Sequence, residues 1–447
     1  MALPPAAEPA DAPVSAEAPT EGAETRTQRS HSRVPAPPMP NWRMFLVFLS
    51  MVLLIMGGVH GYLYWRLVLE TALPEPWSGA LGWLFVLALA GIPLSFVLSR
   101  MLDKSLARLF VVPVYVWLGL VFQAFYLVLA LDLLRGVAWL VTRLAGALEV
   151  GPFLDAALLF DDPGRSPEAW RIAAGGAAAA SLLLTMVGLA WGLRFPVVKR
   201  LEVALPNLPP ALDGFTILQL SDLHLDLVKG RRWLGRVVHR ANGLEPDLVA
   251  ITGDLAEGSV AKYARDVEPL RSLSAPRGVY FVTGNHEYFH DLAGWLRHLE
   301  EMGIRVLRNE GVAMERNGAS FHLAGIDDHD GGRIAPGHGP DLARALQGRD
   351  GGRPVVLLAH QPRAILEAAG MGVDLVLTGH THGGQIWPFS YLVYLQQPFV
   401  RGLQQVGGTV GYVSSGTGFW GPPMRLGTTA EMTLFTLRSP KDGESEP

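Results

Sequence analysis

Five short polar clusters in this 447-residue chain carry residues able to hold metal. They are Ser221-Asp222-Leu223-His224, Gly253-Asp254, Gly284-Asn285-His286-Glu287, the single His360, and Gly379-His380-Thr381-His382. Each follows directly on an apolar, β-forming run, at 215–220, 248–252, 279–283, 355–359 and 375–378. Loops at the carboxyl ends of strands converge in open α/β sheets, so five such runs would deliver these residues to one edge. The candidate ligands are Asp222, His224, Asp254, Asn285, His360, His380 and His382, all oxygen or imidazole donors in a chain without cysteine. Such a set suits manganese, iron, zinc or cobalt. One zinc site takes three or four ligands, so seven are enough for two ions sharing a carboxylate, and Asp254 is the natural bridge. Glycines beside the ligands (Gly253, Gly284, Gly379, Gly383, Gly384) permit tight turns and close backbone approach.

Each cluster also has a plain reading. Asp-x-His recurs by chance, and Gly-Asp is a turn signal. Gly-His-Thr-His straight after an apolar strand is hard to explain as packing. All five in one order, each at a strand end, favour a site over coincidence.

The elements that must position these residues begin near Leu201, and 11 of the 13 histidines fall between His224 and His382. Further strands are expected at 320–326, 409–414 and 432–437, with helices at 231–242, 260–273 and 292–302. This alternation predicts an α/β domain, a two-sheet β-sandwich flanked by helices.

Ahead of that domain the chain is apolar. Only 17% of all residues are charged and mean hydropathy is +0.24, against about 25% charged in soluble domains. Apolar runs at 44–65, 78–99, 109–131 and 172–193 approach the ~20 residues that cross ~30 Å of hydrocarbon. Trp42, Tyr62, Tyr64, Trp65, Trp77 and Trp191 mark their ends, as interfacial aromatics do. A bundle of about four transmembrane helices is expected. His60 is its ionisable exception, read as an interfacial imidazole ahead of a proton or ion site. Without polar groups at mid-membrane the bundle reads as an anchor. The expected divisions are a disordered Pro/Ala-rich tail at 1–40, the anchor at 41–200, the α/β domain at 201–440 and a short tail at 441–447.

Arginine and lysine counts set the orientation. Arg26, Arg29, Arg33, Arg43, Arg100, Lys104, Arg108, Arg194, Lys199 and Arg200 lie on one side; Arg66, Arg135, Arg143, Arg165 and Arg171 lie on the other. Both termini and the α/β domain are therefore expected in the cytoplasm. The stretch 132–150 is open: it reads as interfacial, as part of a longer third helix, or as an extra crossing that would move the domain outside. Only five of 37 basic residues are lysine, a bias of GC-rich coding that suggests a bacterial source and hence an inner membrane. A net charge of −4 excludes a general nucleic-acid binder. Absence of cysteine excludes disulfides, iron–sulfur clusters and cysteine nucleophiles.

From about Leu201 to Leu437 the chain resembles the calcineurin-like metallophosphoesterase family through SDLH, GD, GNHE, the lone His360 and GHTH, in the family's order. GHTHGGQ at 379–385 and GIDD at 325–328 resemble its YkuE-type branch, and four spans ahead of such a domain resemble transmembrane proteins with a metallophosphoesterase domain. The resemblance implies that Asp222, His224 and His382 hold one divalent ion and Asn285, His360 and His380 a second, with Asp254 between them. It implies that a metal-bridging hydroxide attacks phosphorus, that Asn285 and His286 meet the substrate phosphate, and that His286 assists the leaving group.

Less is implied elsewhere. Asp327 and Asp328 orient a ligand histidine or cap a loop. His329 and His338 are expected in solvent, and His239, His290, His298 and His322 on element surfaces. Arg425 and Glu431 have no assigned role. The apolar segment 386–400, with Trp387 and Phe389, reads as a buried wall or as a lip on the bilayer. The expected function is a membrane-anchored, dinuclear phosphoesterase, most readily a phosphodiesterase, whose partners are the bilayer and a lipid-linked phosphoester. The alternatives are a membrane sensor or transport-associated protein that only binds metal or ligand, and a phosphoesterase of soluble substrates such as cyclic nucleotides or phosphoproteins.

Overall fold

The computed structural model describes residues 42–147 and 167–440. The tails expected at 1–40 and 441–447, positions 148–150, and Arg26, Arg29, Arg33 and Arg165 lie outside the described residues.

Among the described residues, four helices are long and apolar enough to cross a membrane: α1 (Trp42–Tyr64), α2 (Trp77–Met101), α3 (Lys104–Ala147) and α4 (Pro167–Gly192). Leu63, Val121, Val128, Trp170 and Ala174 form their common core. α3 runs unbroken for 44 residues, about 66 Å, so 132–147 continues the third helix instead of forming a separate interfacial element or an extra crossing. The reason lies across the bundle. Asp132 takes the Tyr62 hydroxyl (2.6 Å) and pairs with Arg66, while Arg66 and Arg135 both pair with Glu70. Two cations and two anions neutralise one another, so the charges do not end the helix.

His60 departs from expectation. It is 3% exposed, inside the bundle and not at an interface. Trp117 Nε1 can only donate, and it lies 3.0 Å from His60 Nε2; Nδ1 therefore carries the proton and donates to the Met56 carbonyl at 2.7 Å. Both nitrogens are satisfied, which leaves no role as an ion site.

The α/β part has two six-stranded sheets. The first orders β1 (Val197–Ala204), β12 (Glu431–Arg438), β2 (Thr216–Leu220), β3 (Leu248–Thr252), β4 (Val279–Val282) and β5 (Arg305–Val306). The second orders β10 (Gly402–Val406), β11 (Thr409–Val413), β9 (Leu375–Thr378), β8 (Val355–Leu358), β7 (Ala319–Gly325) and β6 (Glu310–Arg316). Their facing sides share a core containing Phe215, Ile217, Phe321, Leu358, Leu377, Tyr412 and Phe435. Helices α5 (Arg231–Asn242), α6 (Val260–Val267) and α8 (Leu292–Glu301) cover the outside of the first sheet through Leu234, Tyr263 and Trp295; α7 (Asn285–His290) follows β4 at the site. β2, β3 and β4 are parallel and buried on both faces, which is why they read as continuous apolar runs. β8 and β9 are parallel as well, so all five strands end at one edge.

Candidate metal centre

At that edge the chain turns sharply. Asp222, His224, Asp254, His380 and His382 all have positive φ, between 40° and 70°. Non-glycine residues rarely adopt this left-handed region, and such strain clusters at functional sites. Gly253, at φ +87°, also has no room for a side chain: a Cβ there would meet Gly284 N and His360 Nδ1 at 2.7 Å.

The turns bring the seven candidate ligands together in two groups. Asp254 Oδ2 lies 3.1 Å from His360 Nε2 and 3.5 Å from His224 Nε2. On one side, Asn285 Oδ1 is 3.1 Å from His360 Nε2 and 3.2 Å from His380 Nδ1, and these two nitrogens are 3.2 Å apart. On the other, His224 Nε2 and His382 Nε2 are 3.0 Å apart, and Asp222 Oδ1 is 3.6 Å from the latter. Donors at ~2.0–2.2 Å from one tetrahedral ion stand about 3.3–3.6 Å from each other, so both groups have the spacing of a ligand shell. The tautomers fit too. His360 Nδ1 donates to the Thr252 carbonyl (2.8 Å) and His224 Nδ1 to Glu257 (2.5 Å), which leaves each Nε2, beside Asp254, as the atom that would face an ion.

The electrostatics match that arrangement. Burial lowers His382 well below the usual imidazole range, and burial with the neighbouring His360 brings His380 to about 3, so both rings are neutral. Burial would raise Asp254, but His360 and His286 outweigh it and hold the carboxylate well below its usual range. Asp222 is raised, mainly by burial. His286 has its Nδ1 2.8 Å from Glu257 Oε1 and its Nε2 4.0 Å from Asp254 Oδ2. Burial would lower it, yet Asp254 and Glu257 prevail and bring it to about 9.

Further residues support the ligands. Glu257 faces His224, His286 and His290 with one carboxylate. Its only signal is its place three residues after Asp254, and the bridge between Leu225 and Ala256 carries it alongside His224. Glu287, fully buried, accepts the backbone N–H groups of Gly284, Asp254 and Leu255 and ties two ligand loops together. His290 is not on a free surface: four residues after His286 on α7, it joins the Glu257 group. His322 is buried against the Ala345 carbonyl at 3.0 Å. His329 pairs with Glu367 (2.9 Å) and His338 meets Arg308 (2.7 Å), so neither is simply solvated. His239 is exposed and His298 half-buried.

Asp327 takes a two-pronged contact from Arg308 (3.0 and 2.6 Å), and Asp328 accepts from Gln361 (3.1 Å), beside His360. Arg425 is fully buried and donates to the carbonyls of His382 (3.3 Å), Ser415 (2.7 Å) and Gly418 (2.5 Å). Glu431 accepts from the Tyr412 hydroxyl and the Ser415 N–H. The segment after the ligands is open and not a buried wall: Trp387 is 54% exposed, Phe389 44% and Leu395 81%.

A two-layer sheet with metal-ligand clusters at one edge defines a metallophosphoesterase, and a family model for calcineurin-like phosphoesterase matches residues 215–384. An uncharacterized metallophosphoesterase of Campylobacter jejuni is 30% identical over 407 residues, 89% of this chain and 100% of the relative. The chain belongs to the calcineurin-like phosphoesterase family. It is 41% identical over 268 residues to "Transmembrane protein with metallophosphoesterase domain" of Bos taurus, 58% of this chain and 60% of that one. It is 32% identical over 240 residues to the metallophosphoesterase YkuE of Bacillus subtilis, covering 52% and 82%. The chain spans 60% of the length of its Bos taurus and Danio rerio relatives.

Proposed function

We propose that the chain is a membrane-anchored phosphodiesterase that uses two divalent ions to hydrolyse a lipid-linked phosphoester on the cytoplasmic face of a bacterial inner membrane. The reading rests above all on one observation: the rim of the candidate site is seated on an apolar span. Gln123 of α3 donates to the Trp387 carbonyl at 3.1 Å, and Phe122 packs edge-on against Phe389 at 6.0 Å. A substrate held in the bilayer would meet the site without leaving the lipid, and the exposed Trp387, Phe389, Tyr391 and Leu395 would lie along its path. The excess of basic residues on the side of Arg100 and Lys104 supports the orientation.

Asp222, His224 and His382 would hold one ion, Asn285, His360 and His380 the other, and Asp254 both. The ions, when bound, neutralise charge on the phosphoryl oxygens and lower the pKa of water towards neutrality. The chain's own residues do the rest. Asp254 and Glu257 keep His286 protonated, and His286 gives its proton to the departing oxygen, a contribution of ~10²–10⁴-fold. Asn285 also meets the substrate phosphate. Trp420 and Phe289 flank His286 at 5.8 and 5.5 Å, which favours an apolar leaving group.

The test compares phospholipid vesicles with a soluble aryl phosphodiester. Trp387→Ser with Phe389→Ser should lower turnover on vesicles at least about tenfold while sparing the soluble ester. Equal turnover on vesicles would remove the lipid-linked substrate.

A further inference from the structure

The helix bundle contains a cavity of about 570 Å³, lined almost wholly by apolar side chains of all four helices, among them Leu67, Leu84, Trp117, Val121 and Ala178. It is a pocket open on one side, not an enclosed void, and its apolar walls offer water too few partners. In a bilayer the available filler is an acyl chain. Along α4 the lining runs from Arg171 to Leu182, a rise of eleven residues or about 17 Å, roughly half of the ~30 Å hydrocarbon core. The cavity is one leaflet deep.

Its mouth carries charge. Arg171 is exposed at the rim and donates from Nε to the Thr71 carbonyl at 2.8 Å. No carboxylate among the described residues pairs with it, whereas Arg66 and Arg135 at the same end are paired with Asp132 and Glu70. Trp65 and Trp77, 54% and 67% exposed, mark this end as the interfacial level. A guanidinium with no carboxylate partner among the described residues, at that depth and above an apolar slot, complements a lipid phosphate with an acyl chain below it.

We propose that one anionic glycerophospholipid is a resident ligand of the bundle, its acyl chain in the cavity and its phosphate on Arg171. This lipid is not the substrate. Seventeen residues of α4, about 25 Å, separate Arg171 from Gly188, where the helix meets the metal-site loops, so the lipid belongs to the leaflet opposite the phosphoesterase domain. It fills the bundle that carries the α3 and α4 faces on which the site is seated.

Native mass spectrometry of the detergent-purified full chain, reconstituted beforehand in dioleoyl phosphatidylglycerol and phosphatidylcholine, tests this. The parent should retain one phosphatidylglycerol per chain through detergent removal. Ala178→Phe, which fills the slot, should lose it, and Arg171→Gln, which keeps a donor for Thr71 but not the charge, should bind it at least about tenfold more weakly and lose the preference over phosphatidylcholine. Gly175→Leu provides a second filling variant, because a Cβ at Gly175 meets nothing within 4 Å. Hydrolysis of a soluble aryl phosphodiester reports that the variants are folded. A parent that retains no lipid, or filled variants that retain as much as the parent, would overturn the proposal and leave loosely held annular lipid only.

Discussion

The backbone N–H of Arg425 donates to the carbonyl of Gly188 at 3.0 Å, while the guanidinium of the same residue donates to the carbonyl of His382. One residue thus joins the last turn of a membrane helix to a candidate metal ligand. The helix comes this close because Gly188 and Gly192, four apart, leave the face towards the loop bare: a Cβ at Gly192 would meet Pro423 O at 2.5 Å and Met424 Cα at 2.7 Å, backbone atoms that cannot step aside. Gly192→Leu should therefore push the 420–426 loop away and loosen His382. Metal affinity by isothermal titration should fall about 10–100-fold, the range for groups that orient ligands, with helix content by circular dichroism unchanged. Unaltered affinity would separate the helix from the site.

Glu257 is the next point of leverage. Its carboxylate is the shared partner of His224, His286 and His290. Glu257→Gln keeps the volume but removes the charge, and should weaken metal binding about 10–100-fold while lowering kcat. Substitution of the exposed His239, which touches none of these groups, should change neither.

Asp328 gives a pH signature. Burial raises its carboxyl to about 6, above the ordinary 3.8, and its Oδ2 has no hydrogen-bond partner. A raised acid costs the folded state stability above the folded pKa, and the cost fades as pH falls from about 6 to below about 4. Asp328→Asn should therefore raise the unfolding free energy of chelator-treated protein at pH 8 by up to about 3 kcal/mol, at ~1.36 kcal/mol per pH unit, read by denaturant titration. The gain should vanish below pH 4. A gain that is constant with pH would mean that the carboxyl titrates normally.

In the bundle, Arg66→Met leaves Asp132 and Glu70 without their closest cation and should cost about 3–5 kcal/mol. Adding Asp132→Asn should recover part of that loss in thermal unfolding. His60→Leu should cost only about 1 kcal/mol and leave hydrolysis intact, because its two hydrogen bonds are structural.

What the sequence made legible follows from burial. β2, β3, β4, β8 and β9 are apolar on both faces, so the runs and the polar residues at their ends stood out. β6 and β10 are edge strands with mixed faces, EGVAMER and GLQQV, and carry no such mark. β1, VVKRLEVA, starts at Val197, ahead of the domain start expected at 201, because its charges hide a strand until its pairing with β12 is known. The far half of α3 was ambiguous because Asp132 and Arg135 look like a boundary, and only Arg66 and Glu70 from another helix cancel them. Glu257 carries no motif and His290 reads as a surface residue for the same reason: their places are created by a bridge between loops and by one turn of a short helix, not by residue type.

The most direct test of the central claim is a metal count combined with hydrolysis of an aryl phosphodiester by manganese-loaded, detergent-purified protein. Two equivalents of metal per chain are predicted for the parent, and about one for His360→Ala. Both Asp254→Asn and His286→Ala should lose most of the activity, and His286→Ala should keep both ions. One equivalent in the parent, or full activity in Asp254→Asn, would contradict a two-ion site built on a shared carboxylate.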